Sequence, residues 1–157
     1  MTERDMTDPI VKTIEVPCDP ATAFAVFAER FDKWWPAQSH SMSAMDGGMP
    51  GAVVLEPRAG GAIYEIDPAG ARHEWGVLQD YVPGELLAFT WRVGQPEEKA
   101  TRVEITFAAD GAGGTRVVLT HSGWQVHGGD AGALRGNYDK GWVAVFEESF
   151  GAACAAV

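Results

Sequence analysis

Two periods of hydrophobic and polar residues divide this chain. The first apolar run, Ile10–Val16 ("IVKTIEV"), is rich in β-branched residues and closed by Pro17, the pattern of a strand. Asp19 and Pro20 then mark a helix start. An Asp at the N-cap can accept first-turn amides, and a Pro just inside loses nothing because its missing N–H would be idle there. Phe24, Phe27, Ala28 and Phe31 follow at helical spacing, which predicts a short helix with an inward aromatic stripe and a break near residues 29–32. Residues 32–50 hold no sustained period and carry two Gly and two Pro, so a long loop is expected, of the kind that is either a functional cover or disordered. Met42, Met45 and Met49 would suit such a loop to act as a lid, because flexible thioethers adapt to varied apolar shapes.

Beyond Gly51 the period falls to two. Strands are predicted over 53–56, 62–66, 73–81 and 86–93, with further apolar rows at Val103, Ile105, Phe107 and at Val117, Leu119, His121. "DPAG" at 67–70 and "VPGE" at 82–85 are turn sequences, the second with Pro and Gly in the central positions of a type II turn. Connections this short force antiparallel neighbours, hence a meander of about six strands. Opposite the apolar rows, which include Trp75 with Val77 and Leu87 with Phe89 and Trp91, run polar ones such as Arg102, Glu104, Thr106. At 131–156, Leu134, Tyr138, Trp142, Val145, Phe146 and Ser149 form a helical ladder, with Asp130 as the expected N-cap and a bend expected near Gly136 or Gly141. A sheet wet on one face needs a cover on the other, and this helix is the only element large enough, so the sheet must curl around it in an α+β fold.

Composition bounds the possibilities. The 157 residues fit one domain, residues 1–157 with a core of about 10–155, and 46% hydrophobic and 22% charged content is that of an ordinary globular protein. A net charge of −10 repels phosphate backbones, so no nucleic-acid partner is expected. With no apolar run long enough for a membrane span and no leader pattern, a soluble cytoplasmic protein is expected. Cys18 and Cys154 are isolated and receive no role.

The candidate chemistry centres on six tryptophans and one histidine. An indole packs a core well only when its N–H finds an acceptor, so several tryptophans beside a cleft would be easily accommodated, although large core residues are an equal alternative for any one of them. His121 shares the apolar side of its strand. It is either a polar contact for a ligand or water, or a structural histidine bonded to Trp142, a Tyr or the backbone. General acid–base work by His121 would call for a carboxylate, such as Glu65 or Glu56, with Glu65 as the candidate, but which face of strand 62–66 points inward is open. A triad of Ser122 or Ser39 with His121 and Asp110 lacks a nucleophile elbow, and His73, His121 and His127 lack zinc-ligand spacing. "GAGG" at 111–114 sits between strands, where glycine serves a turn; no cofactor or metal is implied.

An ordered series of segments carries a resemblance: "DPATAFAVFAE" and "WWP" early, then "HEWGVLQDYVPGELLAFTW", "TRVEITF", "GTRVVLTHSGW" and Gly141-Trp142. Over about residues 11–150 the chain resembles the SRPBCC, or START-like, helix-grip superfamily. Within it the likeness is to the bacterial branch similar to the C-terminal domain of the activator of the ninety-kilodalton heat-shock chaperone's ATPase. The resemblance implies a curved antiparallel sheet of roughly six or seven strands gripping the C-terminal helix, two short helices after the first strand, and a cavity between sheet and helix. In different members that cavity binds hydrophobic or aromatic small molecules or hosts cyclase and hydrolase chemistry. The expected lining here is Trp35, Trp75, Phe89, Trp91, Leu119 and His121, faced by Tyr138, Trp142 and Phe146 on the helix. A small hydrophobic molecule is thus the expected partner, with a homodimer compatible. A chaperone partner is not favoured, since the separate N-terminal domain of the eukaryotic activators is absent; a docking role would call for an exposed apolar patch, with Trp34, Trp35 and Trp124 as its candidates.

Overall fold

A computed structural model describes residues 8–157. Seven strands form one antiparallel sheet in the order β1-β7-β6-β5-β4-β3-β2: β1 Ile10–Val16, β2 Ala52–Leu55, β3 Ala62–Ile66, β4 Arg72–Val82, β5 Leu86–Trp91, β6 Thr101–Ala109 and β7 Thr115–Ser122. The meander of β2 to β7 follows from the short turns. At "VPGE", Gly84 has φ +78 and the Glu85 amide donates to the Val82 carbonyl at 3.0 Å. The first strand then closes against the last, with Ile10 opposite His121.

The period-two pattern holds on three strands. Leu87, Phe89 and Trp91 on β5, Val103, Ile105 and Phe107 on β6, and Val117, Leu119 and His121 on β7 are all buried. On β4 it fails. Trp75 and Leu78 are buried while Val77 is 46% exposed, because Trp75 is an extra residue between the pairs Tyr64–Glu74 and Ile63–Gly76. A bulge of this kind switches which face each later side chain takes. It sits where Gly76 passes so close to β5 that a Cβ would lie 1.9 Å from the Thr90 carbonyl oxygen.

After β1, Asp19 caps α1 (Pro20–Glu29) by accepting from the Thr22 amide at 2.8 Å, and the expected break separates it from α2 (Phe31–Trp34). The expected long loop contains a short helix that its composition did not announce, α3 (Met42–Met45), capped by Ser41. The C-terminal helix begins after a 3₁₀ turn, Trp124–Asp130, and Asp130 makes no side-chain cap. It runs as α4 (Ala131–Trp142), widens into a π-helical segment, Val143–Phe150, and ends as α5 (Gly151–Ala155). The irregularity expected near Gly141 is thus a change of winding that starts just beyond it, a feature that often accompanies functional sites.

Towards the α5 end, phenylalanines close the space between helix and sheet. Phe27 meets Phe150 edge-on at 5.3 Å, Phe146 stacks on Phe150 at 5.7 Å, and Phe24 meets Phe107 at 5.2 Å. The Ser149 hydroxyl donates to the Trp34 carbonyl, tying the π segment to α2. Cys18 and Cys154 are neighbouring free thiols; burial and the Cys18 thiol push Cys154 up. Trp34, Trp35 and Trp124 are buried at 6%, 8% and 0% exposure, so the three candidates for the apolar patch that a docking role would call for do not lie on the surface. Among the described residues no helix is long and apolar enough to cross a membrane.

Candidate functional site

At the other end of the helix the packing opens into a cleft of about 390 Å³. One wall is the α4 stripe Leu134, Asn137, Tyr138, Gly141 and Trp142, continued by Val145 of the π segment, spaced so that every third or fourth residue shares a face. The opposite wall is Trp91 with Val93, Gly94 and Gln95 beyond the end of β5. The rim comes from Ser39, His40 and Ser41 before α3 and from Met45 at its end, and Trp35 also lines the cleft. No lining residue is Asp, Glu, Lys or Arg, in a chain of net charge −10.

The expected lining residues divide into two sets. Trp35, Trp91, Tyr138 and Trp142 line the cleft. Trp75, Phe89, Leu119, His121 and Phe146 lie behind it, each fully buried. The tryptophans behind and around the cleft interlock: Trp35 lies 5.4 Å from Trp75 and 5.7 Å from Trp91, and Trp91 lies 5.7 Å from Trp75 and 6.0 Å from Trp142. Of the three loop methionines, Met45 alone lines the cleft.

His121 has both ring nitrogens occupied. The Trp142 indole N–H donates to Nδ1 at 3.0 Å, and an indole can only donate, so the proton sits on Nε2 and is donated to Thr101 Oγ1 at 2.7 Å. Thr101 passes its own proton to the Trp91 carbonyl at 3.1 Å. This chain ties α4 to β7, β6 and β5 and holds the two cleft tryptophans in register. Burial, with a smaller contribution from His127, lowers the His121 pKa to about 3, so the ring is neutral.

Glu65 points inward with Ile63, the alternative that period two left open. Its Oε1 accepts from the Met42 amide at 2.6 Å and the Trp75 indole at 2.9 Å; its Oε2 accepts from the Ser43 amide at 3.1 Å and hydroxyl at 2.7 Å. Burial alone would raise this carboxyl, but bonds from Ser43, Met42 and Trp75 outweigh it and hold the pKa below its ordinary value. The carboxylate therefore fastens the start of α3, and with it the cleft rim, to the sheet. The Trp35 indole adds a second fastening by donating to the His40 carbonyl at 2.7 Å.

Three residues that line the cleft, His40, Gln95 and Asn137, are not among the expected lining. Asn137 shared a helical face with Leu134 and Tyr138 and was legible from spacing alone. His40 and Gln95 lie in segments with no period, and only the folded chain brings them to the rim. His40 Nδ1 is 2.8 Å from Ser39 Oγ, and burial lowers its pKa. Ser122 and Asp110 stand apart from this cleft, Asp110 accepting from the Ala112 and Gly114 amides of its turn. Among the described residues no group of three or more His, Cys, Asp and Glu could hold a metal ion.

The family model described as "Activator of Hsp90 ATPase homolog 1-like protein" matches residues 18–153. No curated protein matches the chain. Among solved structures, an anthrahydroquino-γ-pyrone synthase, Txn09, complexed with SUM, is 28% identical with TM-score 0.60, over 96% of this chain and 97% of that one. CalC, a self-sacrificing resistance protein from Micromonospora echinospora, is 27% identical with TM-score 0.70, over 95% of each chain. The Aha1 dimer from Colwellia psychrerythraea is 17% identical with TM-score 0.66, over 94% of this chain and 96% of that one, a likeness of fold alone.

Proposed function

The chain belongs to the activator of Hsp90 ATPase homolog 1-like family, and on that footing we propose that it is a receptor for a neutral, planar aromatic small molecule held in the cleft between α4 and the end of β5. The observation that carries this reading is the lining: aromatic faces at Trp35, Trp91, Tyr138 and Trp142, and no formal charge in a strongly acidic protein. Such walls favour flat rings by stacking and disfavour ions, which would enter without a counter-charge. In this reading Trp75, Phe89, Leu119 and Phe146 back the walls, His121 positions Trp91 and Trp142, and Glu65 holds the rim. The likeness to a synthase whose name denotes a fused, oxygen-bearing aromatic supports the same ligand class.

Turnover in the same cleft is a second reading, favoured by the His40 imidazole at the rim, whose lowered pKa keeps it neutral as a base at neutral pH. A chaperone-regulating role would use a surface outside the cleft, and Trp34, Trp35 and Trp124, being buried, would not contribute to it.

Fluorene, followed by quenching of tryptophan fluorescence, tests the receptor reading. The wild-type protein is expected to bind it saturably, and Gly141→Leu to abolish binding without loss of stability. A Cβ at Gly141 meets nothing within 4 Å, so the added side chain fills the cleft and leaves the core alone. Absence of saturable binding, or binding unaffected by the plug, would refute the reading.

A further inference from the structure

Cys18 and Cys154 stand near opposite ends of the sequence, yet the fold brings them together. Cys18 occupies the bend between β1 and α1, half-buried, with an exposed residue on either side. Its backbone is fixed there: the Thr115 hydroxyl donates to the Cys18 carbonyl at 2.8 Å, and the next residue, Asp19, caps α1. Cys154 lies nearly one helical turn beyond Gly151 on α5, the helix that packs against β1. At the start of that helix a Cβ on Gly151 would stand 3.9 Å from Ile14 Cδ1 of β1. Both cysteines pack on the same core, and Cys154 is fully buried within it.

The pair is asymmetric, in the way that an oxidant-sensing thiol and the thiol that resolves it are asymmetric. Solvent reaches Cys18 and does not reach Cys154. Burial pushes the Cys154 thiol up, and the Cys18 thiol beside it acts in the same direction through charge and hydrogen bonding. A sealed, protonated thiol does not meet or attack an oxidant by itself, so any oxidation starts at Cys18. A bond between the two sulfurs would close nearly the whole described chain into one loop, the case in which a cross-link restrains the unfolded chain most.

We propose that Cys18 and Cys154 form a reversible redox latch, in which a peroxide oxidises Cys18, Cys154 resolves it, and the resulting disulfide locks α5 onto the bend between β1 and α1. In the first step the Cys18 sulfur attacks a peroxide oxygen: an S–O bond forms, the O–O bond breaks, and the peroxide is reduced to water as Cys18 becomes a sulfenic acid. In the second the Cys154 sulfur displaces the hydroxyl from Cys18. The S–S bond forms, the S–O bond breaks, and the Cys154 proton leaves with the hydroxyl as a second water. A small dithiol reverses the change by exchange. The latch is independent of the receptor reading, because α5 lies at the end of the helix away from the cleft.

Brief exposure of the full chain to hydrogen peroxide tests the latch. In the wild-type protein the tryptic peptides carrying Cys18 and Cys154 are expected to be found joined, within a single chain, and to be freed by dithiothreitol. The joined form should unfold at a thermal midpoint about 10 °C higher, the shift that closing so long a loop supplies in a domain of this size. In Cys154→Ala, dimedone should trap Cys18 as the sulfenic acid, and without dimedone Cys18 should pass on to the sulfinic acid. In Cys18→Ala, Cys154 should stay reduced. Should neither variant fold, the wild-type peptides and midpoint decide. A wild-type protein in which Cys18 reaches the sulfinic acid while Cys154 stays a free thiol overturns the proposal, as does a bridge between two chains or a bridge that leaves the midpoint unmoved.

Discussion

One long helix covers one curved sheet, yet its two ends are built differently. Towards α5 the facing side chains are mainly phenylalanines, Phe24, Phe27, Phe107, Phe146 and Phe150, joined by Trp34, whose single N–H is taken up by the Val26 carbonyl. Towards the start of α4 they are tryptophans and a tyrosine, and a cleft of about 390 Å³ remains. The difference lies in the polar handles. Rings without them can pack in any orientation, whereas each indole N–H or phenol calls for an acceptor, which restricts the orientations its ring can take. His121 shows how much machinery that takes: one imidazole, one threonine and one carbonyl hold Trp142 and Trp91 in place.

The largest test of this contrast is at the closed end. Phe150→Ala is expected to cost about 3–5 kcal/mol in chemical denaturation, the loss of a fully buried ring and the void it leaves. A cost below about 1 kcal/mol would mean that this end is no better packed than the cleft.

Next in size, Glu65→Gln should destabilise the protein by about 2 kcal/mol, because an amide cannot accept at all the places where the carboxylate accepts from Met42, Ser43 and Trp75. Hydrogen exchange should quicken at 42–45 while β5 to β7 stay protected. Uniform protection across both would show that the carboxylate does not hold the rim.

The third effect is graded by pH. His121 titrates at 6.5 when unfolded but at about 3 when folded, so between those values the unfolded chain binds the extra proton and stability rises with pH. Stability is therefore complete above pH 6.5 and falls with acidification, by at most about 1.4 kcal/mol per pH unit. The lowered Glu65 pKa acts in the same direction below 4.5, where stability is lost as pH falls through the folded value. Urea midpoints measured from pH 7 to pH 4 should show the slope, and His121→Asn, though less stable, should reduce it above pH 4.5 to what His40 and His127, both also lowered by burial, contribute. An equal slope in the variant would place the acid sensitivity elsewhere.

Much of the fold could be read directly from spacing. β1 and β3 fall on their predicted residues, the Asp19 cap forms, and the apolar rows of β5, β6 and β7 face inward together. These depend on local rules, a period of two or a turn of fixed chemistry. Val77 escaped them because a bulge at Trp75 changes the parity of β4, and a bulge is set by the neighbouring strands. The cleft was half legible. Tyr138 and Trp142 fell on the helical ladder and Trp91 on a strand row, whereas His40 and Gln95 come from segments with no period to read.

By itself, the order of residues along this chain determined that a wet-faced antiparallel sheet would need a helical cover, that the gap between them would be rich in aromatic rings, and that the whole would carry a net charge of −10. Only the tertiary structure decided which of those rings interlock and which stand apart, that His121 spends both nitrogens on neighbours, and that Trp91 is the indole left without an acceptor. The physical reason is that spacing reports which face a side chain takes, while a hydrogen bond or a void depends on distances of a few tenths of an ångström between segments far apart in the chain.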